Sequence, residues 1–167
     1  EVNDLNTARN SHSATGTYPS AIVFGGSAPP GTAVTESWNG TSWTEVNDLN
    51  SARYALGGAG TSTSAIAFGG SPEPGGVAIT ESWDGTSWTE VNDLNSERTE
   101  ANKGMAGGKV DSALFVSGSP VDTKTESWNG TSWTSANARN TAKGGQAAFG
   151  SQTAWMRRHL PIQRRTD

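Results

Sequence analysis

The chain of 167 residues contains no cysteine, 21 glycines and 7 tryptophans, and 12 Lys and Arg against 16 Asp and Glu leave a formal charge of −4. Such a length suffices for one domain with a core, few leucines among so many glycines argue against a helical bundle, and the missing cysteines exclude disulfides, thiol catalysis and cysteine-ligated zinc. Arg157, Arg158, Arg164 and Arg165 make the end of the chain basic, so the remainder is acidic and unsuited to nucleic acid; no run approaches the roughly 18 apolar residues of a membrane span, and a soluble protein or fragment is expected.

The first residues, Glu1 to Leu5, read as the last strand of a preceding unit, because EVNDLN returns at Glu45 and Glu90 and, degraded to SANARN, at Ser135. The period is thus 44, 45 and 45 residues, a length shared by four-stranded propeller blades and HEAT-type helical pairs. A strand is expected over Ser11 to Thr17, with a turn at Gly16-Thr17, and again over Ala55 to Thr61, with a turn at Gly60-Thr61. Next come the apolar runs Ser20 to Gly26, Ser64 to Gly70 and Ser112 to Gly118, each closed by glycine, as a strand buried on both faces would be.

The phrase TESWNGTSWTEVNDLN then runs from Thr35 to Asn50, returns from Thr80 to Asn95 with Asp84 for Asn39, and starts again at Thr125. Asn-Gly or Asp-Gly between short Ser, Thr and Trp runs is a hairpin signal that helical pairs would not contain. A two-residue turn at Asn39-Gly40 sets Trp38 opposite Thr41 and Glu36 opposite Trp43, so both tryptophans leave one face and Ser37 and Ser42 the other. The expectation is an all-β chain of four-stranded antiparallel blades, about 45 residues per repeat. Full blades fall near 10–47, 54–92 and 99–136, with a degenerate fourth within repeats that span 1–154, and a basic tail over 155–167.

In order, Arg9, the strand ending in Gly25-Gly26, a polar loop, Trp38, Trp43 and NDLNSAR leading to Arg53 resemble the kelch motif, and the pattern repeats at Gly69-Gly70, Trp83, Trp88 and Arg98. The repeat phrase is also similar to kelch-like repeats in virion-associated proteins of marine phages and ocean metagenomes. That resemblance implies a β-propeller with a structural or receptor-binding role. In the third unit, with Trp128 and Trp133, Ser117-Gly118 replaces the diglycine; in the fourth, Lys143 stands for the arginine and the hairpin is missing. An open stack would expose apolar faces and strand edges, which propellers avoid by closing. Glu1 to Leu5 is expected to complete the fourth blade, in its own chain or in a neighbour, and a homodimer closing one ring is favoured over a four-bladed monomer.

No catalytic, cofactor or metal site is expected. His12 and His159 lack companions at metal-ligand spacing, and the copper ligands of galactose oxidase, a kelch propeller, have no counterparts. SWDGTSW approaches the sialidase Asp-box, S-x-D-x-G-x-T-W, but Gly85 follows Asp84 directly. Glu36, Glu81 and Glu126 recur once per unit, as do Asp48 and Asp93, which suits hairpin partners and turn caps better than an asymmetric acid pair. The sequons at Asn39 and Asn129 coincide with turns that the middle unit makes with Asp84.

The six repeated tryptophans are expected to form inter-blade core rather than a sugar-stacking platform. A binding surface is expected in the variable loops instead: Pro29 and Pro30, Pro72, Glu73 and Pro74, and Asp122 and Lys124. The reading is a non-enzymatic propeller module for protein interaction or virion structure, with a lectin-like carbohydrate binder as the alternative and a glycan-acting hydrolase or oxidase third.

Overall fold

The computed structural model describes residues 3–28, 30–72, 75–99, 101, 105–116 and 123–138. Outside them lie Pro29, Glu73, Pro74 and Asp122, the Ser117-Gly118 pair, the fourth unit, the tail and the first two residues of the expected closing strand. Twelve strands are described. The first sheet holds β1 (Ser13–Thr17), β2 (Ser20–Phe24), β3 (Thr35–Trp38) and β4 (Trp43–Val46); the second β5 (Gly57–Gly60), β6 (Ala65–Phe68), β7 (Thr80–Trp83) and β8 (Trp88–Val91); the third β9 (Met105–Lys109), β10 (Ser112–Val116), β11 (Thr125–Trp128) and β12 (Trp133–Ala136). Each sheet is an antiparallel meander in chain order, and β5 lies against both β1 and β9. No helix among the described residues is long and apolar enough to cross a membrane.

Two sequence expectations are corrected by backbone geometry. The first strands begin two residues later than expected, because Ser11 and Ala55 take positive φ (52° and 56°) and turn the chain instead of extending it. The hairpin loop has four residues, not two: Trp38 pairs with Trp43 and Glu36 with Glu45. Asn39 causes this register. Its Oδ1 accepts from the N–H groups of Thr41 and Ser42, both at 2.9 Å, while Gly40 takes φ +95°. Asp84 accepts the same pair at 2.8 Å, which explains why Asp replaces Asn there: the turn needs only an acceptor oxygen. Both tryptophans still leave one face, because directly opposed residues of an antiparallel pair share a side.

Alternation then gives each sheet a leading face, carrying the tryptophan pair, and a trailing face. Ile22, Phe24 and Val46 on the first trailing face pack with Ala65, Ala67, Trp83 and Trp88 on the second leading face. Phe24 meets Trp88 edge-on at 4.9 Å, and Phe68 meets Trp133 likewise at 4.8 Å across the next seam. The core therefore lies between sheets. Gly58 serves this packing, since a Cβ there would stand 2.7 Å from the Phe24 ring.

The diglycines sit where the chain crosses into the next sheet. Gly25 has φ +63°, and a Cβ on it would meet the Arg53 carbonyl at 2.7 Å. Gly26 N–H donates to that same carbonyl at 3.0 Å, so glycine is required both for the conformation and for the close approach.

Candidate functional site

The recurring charged residues build the seams. Arg9 donates to Glu36 at 2.5 Å, and both side chains are fully enclosed. Glu36 also accepts from the backbone N–H groups of Asn6 at 2.7 Å and Thr7 at 3.2 Å. One sheet further on, the linker leaving β4 repeats the arrangement: Arg53 pairs with Glu81, and Asn50 donates to Glu81 through its N–H at 2.7 Å and its side chain at 2.8 Å. Asn95 holds Glu126 in the same way at 2.8 Å, while Arg98 stands 3.9 Å from that carboxylate with its guanidinium over the Phe115 ring.

These carboxylates are thus not hairpin polar partners, as expected, but the anchors that seize the incoming linker. A carboxylate lacking its water can stay ionised only where charged and N–H donors replace that water. Burial pushes the Glu36 carboxyl up, but the hydrogen bond from Arg9, those from Asn6 and Thr7 and the Arg9 charge outweigh it and hold Glu36 below its ordinary value. Asp48 and Asp93 do act as caps, accepting from the Thr35 and Thr80 N–H groups at 3.0 Å.

A second latch uses tryptophan. Trp88 Nε1 donates to Thr35 Oγ1 of the preceding sheet at 3.1 Å, and Trp133 Nε1 donates to Thr80 Oγ1 at 3.0 Å. The inner tryptophan of each pair instead closes its own sheet, as Trp38 Nε1 does on the Tyr18 carbonyl at 2.8 Å. Trp83, Trp88, Trp128 and Trp133 are buried in the core between sheets, whereas Trp38 is buried on the leading face of the first sheet, outside both inter-sheet clusters.

Trp43 differs. It stands on the leading face of the first sheet, is only partly buried, and its indole N–H makes no hydrogen bond among the described residues. With Ala14, Gly16, Tyr18, Ala21 and Trp38 it lines a shallow apolar depression of about 440 Å³, at whose margin Tyr18 is 77% exposed. Grooves at the two seams, of about 450 and 490 Å³, have equivalent linings, Glu45 with Trp83 and Glu90 with Trp128, and are therefore consequences of the repeat.

Other residues singled out in the sequence fall at the opposite end of the strands. Pro30 is exposed, Pro72 half-buried and Lys124 exposed, all in loops joining second to third strands. Linkers cross there, with Arg53 N–H donating to the Thr32 carbonyl at 3.3 Å. His12 is half-buried; burial first, then the Arg9 charge, lower its pKa against a backbone hydrogen bond that raises it. Among the described residues no three of His, Asp and Glu gather in a metal-binding set. The open Trp43 face was missed by sequence reasoning, which treated six equivalent tryptophans as equally covered.

No family model and no curated protein matches the chain. Among solved structures it is similar to one described as the structure of YjhT, at 11% identity and a TM-score of 0.70, over 87% of this chain. This chain spans 60% of that one's length. The likeness is one of fold, and that neighbour is β-propeller-like.

Proposed function

We propose that the chain is a non-enzymatic, kelch-like β-propeller module for protein interaction or virion structure. The observation that carries this reading is the use of the charged residues. Glu36, Glu81 and Glu126 are each committed to a linker within a recurring seam, whereas catalysis needs an asymmetric group of acids, bases or nucleophiles around one substrate. The resemblance of the repeat phrase to phage virion-associated repeats supports a structural or receptor-binding part. Closure of the sheets into a ring belongs to this proposal, since the alternative leaves an apolar leading face to water.

A lectin-like reading is favoured by one observation, the exposed Tyr18 beside the partly buried Trp43, because aromatic faces stack on sugars. Titrating the chain with a panel of oligosaccharides while following tryptophan emission separates the two. The module reading expects no saturable change; a saturable change that disappears in Trp43→Phe establishes the lectin reading instead.

A further inference from the structure

The three hairpin loops are nearly identical, yet two begin with Asn-Gly and one with Asp-Gly. In the first, Asn39 Oδ1 accepts from the N–H groups of Thr41 and Ser42, both at 2.9 Å; in the third, Asn129 Oδ1 accepts from those of Thr131 and Ser132, again at 2.9 Å. Two N–H donors identify the oxygen of each amide and so fix which way the side chain points. Both asparagines are exposed. The N–H groups that follow them, of Gly40 and Gly130, make no hydrogen bond among the described residues, and glycine sets no Cβ beside the asparagine side chain. The asparagines of the seams are placed differently. Asn47 and Asn92 donate their side-chain N–H to the carbonyls of Thr86 and Thr131, Asn50 and Asn95 donate theirs to Glu81 and Glu126, and Asp or Ser follows each of the four.

We infer that Asn39 and Asn129 are sites of self-modification, at which the loop converts asparagine to aspartate with water as the only co-reactant. The Gly40 nitrogen, deprotonated by solvent base, attacks Asn39 Cγ. As that C–N bond forms, an electron pair of the side-chain carbonyl moves onto Oδ1, where the Thr41 and Ser42 N–H groups already point. Donors placed in advance at a developing oxyanion lower the barrier. The bond from Cγ to Nδ2 then breaks, Nδ2 takes a proton from water and leaves as ammonia, and a five-membered imide remains. Water opens that imide at the Cγ side to give aspartate, or at the main-chain carbonyl to give isoaspartate. The middle unit displays the loop with aspartate in place. Asp84 Oδ1 accepts from the Thr86 and Ser87 N–H groups at 2.8 Å, and these bonds, that of Ser87 foremost, hold its carboxyl below the ordinary value. Isoaspartate instead lengthens the main chain by one methylene between Trp38 and Trp43, whose pairing is set for four intervening residues. Each conversion adds one negative charge to the formal −4.

Peptide mapping of the full chain by mass spectrometry, after incubation in mildly alkaline buffer with and without denaturant, provides the test. The folded chain is expected to lose the amides of Asn39 and Asn129 at least as fast as the denatured chain, with aspartate exceeding isoaspartate, while Asn47, Asn50, Asn92 and Asn95 keep theirs. Thr41→Pro removes one of the two N–H donors and is expected to slow the loss at Asn39 about tenfold, with Asn129 of the same molecule as the internal reference. If that variant unfolds, Asn129 reports it by reacting at the denatured rate, and the comparison of folded with denatured parent then decides. Amides retained at Asn39 and Asn129 in the folded chain while the denatured chain loses them, or an unchanged rate at Asn39 in folded Thr41→Pro, would overturn the inference.

Discussion

At the scale of single residues, the guanidinium of Arg9 and the carboxylate of Glu36 show how the seams combine strength with acid sensitivity. Neither group could be enclosed alone, since an unpaired buried charge costs several kcal/mol. Glu36→Gln leaves Arg9 without its counter-ion, and is expected to cost about 3 kcal/mol at neutral pH. The same variant reports a pH dependence. Because the folded protein holds Glu36 below its ordinary value of 4.5, its contribution is fully present above that value and is lost as the pH falls through the lower, folded one. Chemical denaturation between pH 7 and 3 should therefore show the gap between the parent and Glu36→Gln narrowing below about pH 4.5; a gap that stays constant would contradict the assignment.

At the scale of elements, the hairpin loop illustrates how a side chain sets register. Asn39, Asp84 and Asn129 each cap a four-residue loop by accepting two N–H groups. Asn39→Asp is expected to leave the melting temperature unchanged, and Asn39→Ala to destabilise by about 1 kcal/mol, read by thermal unfolding; equal losses from both would show that the acceptor oxygen is not what matters.

The strands themselves were legible because the apolar run ending in Gly25-Gly26 and the phrase beginning at Thr35 carry local signals of extension and turning. The loop length was not, because Asn-Gly suits two-residue and four-residue loops alike and the choice depends on where the Asn39 oxygen points. The Arg–Glu latch escaped because its partners are far apart in sequence and meet only when sheets stack. Its signal was present in the constant offset of Arg9 from Glu36, Arg53 from Glu81 and Arg98 from Glu126, at 27, 28 and 28 residues. Likewise, the special standing of Trp43 follows from its position at the first sheet, which composition and periodicity treat as equivalent to the others.

At the scale of the whole molecule, the three sheets of the described residues, joined by equivalent seams, behave as nearest neighbours in a stack, each depending on what lies on either side. An end sheet then carries the chemistry of a seam without its other half. The partly buried Trp43 and the exposed Tyr18 line an apolar depression on the outward face of the first sheet, and in water such a face favours association. We propose that a second copy covers this face, using only contacts of the kind that the internal seams already make. Light scattering from the full chain as it elutes from a size-exclusion column tests this most directly. The expected mass is twice that of one chain, declining toward one only on dilution; a single-chain mass at every concentration would contradict the account and leave the Trp43 face to be covered within one chain or by a different partner.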